Sequence, residues 1–183
     1  MSVVYGIALS VAACLRGGTR VDVAWSLDPE QVPTFDPTDA VAITPGGGRL
    51  GSLLGGALDS RLVELSLTEA NEARVVTCEL DGIESSALGV PQGTVVRIVF
   101  APAEVLPEEL WEPLLEREPV AIAAAKEDDR LSEIRFVAPQ GSTSFSLDDE
   151  QLSANWAPTP SLVLFGGGPM ALASACSGLR DSV

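Results

Sequence analysis

The chain has 183 residues, 46% of them hydrophobic and 20% charged, which is enough apolar material for a sizeable core and the usage of a folded protein. Its 26 acidic residues against 11 basic ones give a formal charge of −15, which argues against nucleic acid or an anionic membrane as partner, because such binding is driven by Lys and Arg neutralising phosphates. Histidine is absent, and with it the commonest general base, the commonest metal ligand and every Ser-His-Asp or Cys-His arrangement, so neither a catalytic constellation nor a metal site is expected.

The three cysteines, Cys14, Cys78 and Cys176, are odd in number and far apart among Ala, Val and Leu, and read as small buried hydrophobes in a reducing, cytoplasmic setting. At the start, Val4, Ile7, Val11 and Leu15 recur at helical spacing and predict an amphipathic helix over residues 3–15. Val11-Ala12-Ala13-Cys14 has the look of a lipoprotein cleavage box, but the first basic residue, Arg16, follows the apolar run, whereas a secretory signal places its charge before it. The run is also shorter than the roughly 18 residues of a membrane span.

Residues 20–27 alternate, with Val21, Val23, Trp25 and Leu27 on one side and Asp22, Ala24 and Ser26 on the other, predicting a half-buried strand. Residues 28–39, rich in proline and acid, predict a loop, residues 40–44 a second strand, and Pro45-Gly46-Gly47-Gly48 a turn. From 48 to 67 the sequence GRLGSLLGGALDSRLVELSL opens like a strand, passes Gly55-Gly56 and continues with Leu58, Leu62 and Leu65 at helical spacing. This predicts a strand, a tight glycine turn and an amphipathic helix, with Asp59 near the helix start, where a carboxylate is favoured.

Strands are expected at 74–80 and 94–100, with a loop between 82 and 93. Pro107-Glu108-Glu109 opens another helix, of structural role, that packs through Leu110, Trp111, Leu114 and Leu115. Residues 120–125, 132–137 and 143–147 predict a three-stranded meander with the solvated hairpin Lys126-Glu127-Asp128-Asp129-Arg130. Polar, proline-rich sequence from 147 to 160 reads as a linker, and a short strand at 161–165 then enters a glycine turn and a helical pattern through Leu172, Ala175 and Leu179. The expected architecture is α+β, a mixed sheet with a few packed helices over residues 1–150, a linker at 151–160, and the truncated beginning of a Rossmann-like βα unit at 161–183.

Two glycine motifs bear on chemistry. Gly166, Gly168 and Ala171 match G-x-G-x-x-A between a strand and a helix, where a pyrophosphate can rest on helix amides. The acidic partner of that motif, about 20 residues further on, falls past the last residue, so binding of NAD or another nucleotide is not expected. The internal turn Gly51-Ser52-Leu53-Leu54-Gly55-Gly56 has two readings that the sequence leaves open: glycines that simply permit a sharp turn, or a helix N-terminus that receives an anion.

GRLGSLLGGALDSRL at 48–62, LWEPLLEREPVAIA at 110–123 and PSLVLFGGGPMA at 160–171 resemble, in this order and spacing, three stretches of the XdhC/CoxI family of molybdenum hydroxylase accessory proteins. The resemblance implies a non-catalytic maturation factor that binds molybdenum cofactor, a pterin with a phosphate and a dithiolene. It would promote sulfuration of the cofactor with a partner sulfurase and deliver it to the apoenzyme of a xanthine or carbon monoxide dehydrogenase. The cofactor-binding set it points to is Arg49, Gly51, Ser52, Gly55, Gly56 and Asp59, with Arg49 and Arg61 the nearest cations. One departure bears on this set: Ala57 stands where the family has cysteine, which removes a thiolate, while the acid two residues on survives as Asp59.

The alternative is a degenerate interaction or regulatory module that binds no cofactor and pairs with another chain, for instance as a homodimer, through residues 161–183. An enzyme of another kind would have to use carboxylates such as Asp36, Asp39 or Asp59.

Overall fold

The structure is a computed structural model and describes residues 3–28, 31–32, 36, 38–68 and 71–158. Gly166, Gly168, Ala171, Cys176 and the whole expected βα unit lie outside these residues. Helix α1 (Val3–Arg16) forms as the spacing predicts, burying Val4, Ile7 and Val11. It stops at Gly18, whose φ of 64° lets the Thr19 amide donate to the Cys14 carbonyl and the Gly18 amide to that of Leu15.

The strands β1 (Asp22–Ser26), β2 (Ala40–Ile43), β3 (Arg49–Gly51), β4 (Ala73–Glu79), β5 (Val95–Pro102), β6 (Val120–Glu127), β7 (Arg130–Val137), β8 (Ser144–Leu147) and β9 (Gln151–Trp156) form one sheet in the order β3-β2-β1-β5-β4-β7-β6-β9-β8. Three further helices are α2 (Asp59–Leu67), α3 (Gly82–Leu88) and α4 (Trp111–Glu116). The fold is α+β, as expected. The sheet, expected to be mixed, is antiparallel in every described pairing.

The sheet is strongly curled. β1 and β9 are five places apart in the strand order, which in a flat sheet would be about 24 Å at roughly 4.8 Å per strand. Yet the rings of Trp25 on β1 and Trp156 on β9 lie 5.2 Å apart between centroids. The narrowest pairing lies between β4 and β7, which pair only at Ala73–Leu131 and Arg74–Arg130, and it divides the sheet into two half-sheets, β1 to β5 and β6 to β9. The two half-sheets thereby enclose one core, filled by Trp25, Val99, Ile122, Leu152 and Trp156 and completed by α1 and α4. A second core on the outer face of the first half-sheet packs Leu58 just before α2, Leu62 of α2 and Leu88 of α3 against Ile43, Ile98 and Phe100.

Three local expectations change. β1, predicted to be half-buried, is buried on both faces, because α2 covers the side bearing Asp22 and Ala24. The loop expected at 82–93 contains α3, whose start is fixed by reciprocal bonds between the Asp81 and Glu84 side chains and each other's backbone amides. The polar stretch expected to be linker supplies β9 over residues 151–156. It inserts between β6 and β8, so the expected meander becomes β7-β6-β9-β8. Polar residues are tolerated there because Asn155 is buried with its amide bonded to the backbone of Gln140 and Ser142.

Candidate functional site

The glycine segment folds as a strand-to-helix turn. β3 ends at Gly51 (φ 84°), Leu54–Gly56 makes a 3-10 turn, and α2 begins at Asp59. Positive φ recurs at Leu54 (50°), Gly55 (60°) and Gly56 (87°). Left-handed backbone costs a residue such as Leu about 1–2 kcal/mol. Its side chain is 2% exposed in the second core, and full burial of a leucine returns about 1.5–3 kcal/mol. Leu53, Leu54 and Leu58 thus pin the turn from below, while Gly55 is exposed and Ser52 and Gly56 are half-buried above.

Of the predicted binding residues, Arg49, Gly51, Ser52, Gly55, Gly56 and Asp59 all fall on this one turn and its flanks. Arg49 and Asp59 form an ion pair across it, the guanidinium half-exposed and the carboxylate 20% exposed. A carboxylate at a helix start suits the macrodipole, so Asp59 is held both by Arg49 and by α2. Its Oδ2 lies 3.0 Å from where a Cβ on Gly56 would stand, so the glycine leaves room for this carboxylate. The other oxygen, Oδ1, is buried and accepts no hydrogen bond.

Two features limit anion binding. The Gly56 amide donates to the Leu53 carbonyl and the Ala57 amide to that of Leu54, so both are taken up inside the turn. Arg61, expected as a second nearby cation, turns instead to the Glu79 carbonyl and the Glu84 carboxylate at the corner of β4 and α3. Ala57 packs partly into the second core.

Elsewhere, Cys78 is buried and its thiol is pushed up by that burial, with Arg61 opposing, while Cys14 is half-buried. Asp36 accepts from the amide and hydroxyl of Thr38. Asp39 beside it is raised to about 6, first by burial and then by the Asp36 carboxylate.

Sequence reasoning missed Asp22, which is fully buried. Its Oδ2 accepts from the Ser66 hydroxyl at 2.6 Å and lies 3.3 Å from the Arg20 guanidinium, and its Oδ1 has no partner. Only its place on the supposedly wet side of an alternating strand hid it. Two open cavities lie away from the turn: one of about 730 Å³ at Asn71–Arg74 and Glu127–Arg130, and one of about 650 Å³ between α1 and α4. No described helix is long and apolar enough to cross a membrane.

No known family and no curated protein matches the chain by sequence. Among solved structures, the chain is similar in fold to a crystal structure of a xanthine dehydrogenase from Bacillus halodurans. The TM-score is 0.59 and the identity 16%, over 98% of this chain and 60% of that chain. The present chain therefore spans less than two thirds of that protein's length, and the likeness is one of fold.

Proposed function

We propose that the chain is an accessory protein in the maturation of molybdenum-cofactor enzymes of the xanthine dehydrogenase and carbon monoxide dehydrogenase type, and that it binds the cofactor at the turn from Arg49 to Asp59. The observation that carries this reading is the pairing of a half-exposed Arg49 with Asp59, whose Oδ1 is buried without a donor. A carboxylate oxygen in that state is expensive unless a ligand or water supplies a donor. A phosphorylated pterin offers both an anionic end and an N–H edge. Arg49, the Ser52 hydroxyl and the exposed Gly55 backbone would hold the phosphate, and Asp59 would accept from the pterin. The fold shared with a protein described as a xanthine dehydrogenase supports the same direction.

When delivered, the cofactor's dithiolene-bound metal supplies the chemistry of the recipient enzyme; this chain's own residues only hold and orient it. The recipient apoenzyme and a cofactor sulfurase are the proposed partners. Ala57 contributes no thiolate, so retention rests on hydrogen bonds and charge.

Anaerobic isothermal titration with released molybdenum cofactor tests the reading. Micromolar or tighter binding is expected. Loss of one charge-assisted contact in Arg49→Gln should weaken it by about 10- to 100-fold, with a smaller loss in Ser52→Ala. The second reading, a degenerate module that binds no cofactor, is favoured by the amides spent inside the turn and by Arg49 being neutralised by Asp59. Wild-type protein that takes up no cofactor would establish it.

A further inference from the structure

We infer that the groove between α1 and α4 is a docking surface for a basic amphipathic helix of another protein. The groove, about 650 Å³, runs beside the C-terminal half of α1, with a floor of Leu15, Leu106, Trp111 and Leu115. Leu115 is 41% exposed, although its neighbours Leu110, Trp111 and Leu114 are buried. The helix therefore presents one leucine away from the protein's own core and into this cleft. Its rim is acidic. Glu104, Glu108 and Glu112 line it, all three are exposed, and none takes part in an ion pair among the described residues. Among the described residues, Arg16 is the one cation lining the groove.

An apolar floor between two helices, bordered by unpaired carboxylates, matches the helix-in-groove mode of recognition, in which apolar anchors at helical spacing enter the cleft and basic residues flank them. The same charges argue against a second copy of this chain, since each copy carries −15 and would bring the same acidic rim. A net negative protein also attracts a basic partner from a distance, so the rim sets orientation while the floor supplies the burial. This surface is separate from the Gly51–Asp59 turn, and its test does not depend on cofactor binding.

The test uses the full chain and a fluorescently labelled Leu/Lys peptide of about 14 residues, roughly four helical turns, with leucines at helical spacing, read by anisotropy at physiological ionic strength. Binding on the order of 10 μM or tighter is expected. Replacing the rim with Glu104→Gln, Glu108→Gln and Glu112→Gln should weaken it by about tenfold or more, whereas Asp128→Asn, Asp129→Asn and Asp149→Asn, which remove the same formal charge elsewhere, should change it by less than about twofold. Leu115→Ser should weaken it several-fold. Equal weakening by the two triple variants would overturn the inference, since bulk charge alone would then explain binding. Equally tight binding of a Lys/Gln peptide without an apolar face, or no binding of the Leu/Lys peptide at about 100 μM, would overturn it too. So would a dimer in sedimentation that Leu115→Ser disperses, which would assign the groove to self-association.

Discussion

The indole of Trp25 stands edge-on to that of Trp156, with ring centroids 5.2 Å apart and planes at 75°, although the two strands that carry them are not neighbours in the sheet. The contact clamps the two half-sheets across the shared core, and Phe145 adds a second edge-on ring to Trp156 at 5.7 Å. Trp156→Ala should lower stability by about 3–5 kcal/mol. A double-mutant cycle with Trp25→Ala should return a coupling of about 0.5–1.5 kcal/mol, measured by urea denaturation. A coupling of zero would mean that the halves are held by other contacts.

Asp22 on β1 and Ser66 at the end of α2 tie the sheet to the helix that covers its outer face. Ser66→Ala removes a donor from a fully buried carboxylate and leaves Arg20 as its only partner among the described residues, so the variant should lose about 1–3 kcal/mol. The urea midpoint reads this directly. An unchanged midpoint would show that Arg20 alone satisfies the carboxylate.

Gly56→Ala meets two penalties: a φ of 87°, and a new Cβ 3.0 Å from Asp59 Oδ2. The backbone share is about 1–2 kcal/mol. In an Asp59→Ala background the steric share should vanish and the backbone share remain, so the loss should shrink without disappearing. Equal losses in both backgrounds would show that the carboxylate moves aside freely.

Asp39 gives a pH dependence of definite sign. Its carboxyl is raised from 3.8 to about 6, so between these values the folded state binds a proton that the unfolded state does not. Stability from this group is therefore greatest at the acid end of that window and falls as pH rises through about 6. Asp39→Asn should flatten this part of the curve and leave the protein more stable than the wild type at pH 7. Thermal unfolding across the window checks both, and a parallel shift of the two curves would refute the assignment.

Periodicity made much of this fold legible. The leucines of α2, the alternation of β1 and the glycines of the turn all reported their own local geometry. What stayed hidden depended on distant partners. The far side of β1 is buried only because α2 returns to cover it, and no local pattern reveals that Asp22 will find Ser66. β9 read as linker because Gln151, Ser153 and Asn155 are polar, and Asn155 becomes acceptable only through the loop carbonyls of Gln140 and Ser142. α3 carried a legible start signal in Asp81 and Glu84, but Ile83 is 83% exposed and the apolar stripe that would have completed the pattern is missing. At the turn, the six predicted residues were neighbours already in the sequence. The ion pair between Arg49 and Asp59, which sets the charge any ligand would meet, emerges only when β3 and α2 are placed side by side.

The narrow seam between β4 and β7 also falls where the chain itself divides. β1 to β5 come entirely from residues before 103 and β6 to β9 entirely from residues after 119, so each half-sheet is a contiguous length of polypeptide. The exposed stretch around Arg117 and Glu118 crosses between them once. A backbone nicked there would yield two fragments, each with its own hydrogen-bonded ladder intact. Besides the Ala73–Leu131 and Arg74–Arg130 pairs, the bond from the Val75 amide to the Asp129 carbonyl and the Arg130–Glu72 ion pair, what would draw them back together is the apolar surface shared between them, which makes this protein a natural candidate for reassembly from separate pieces.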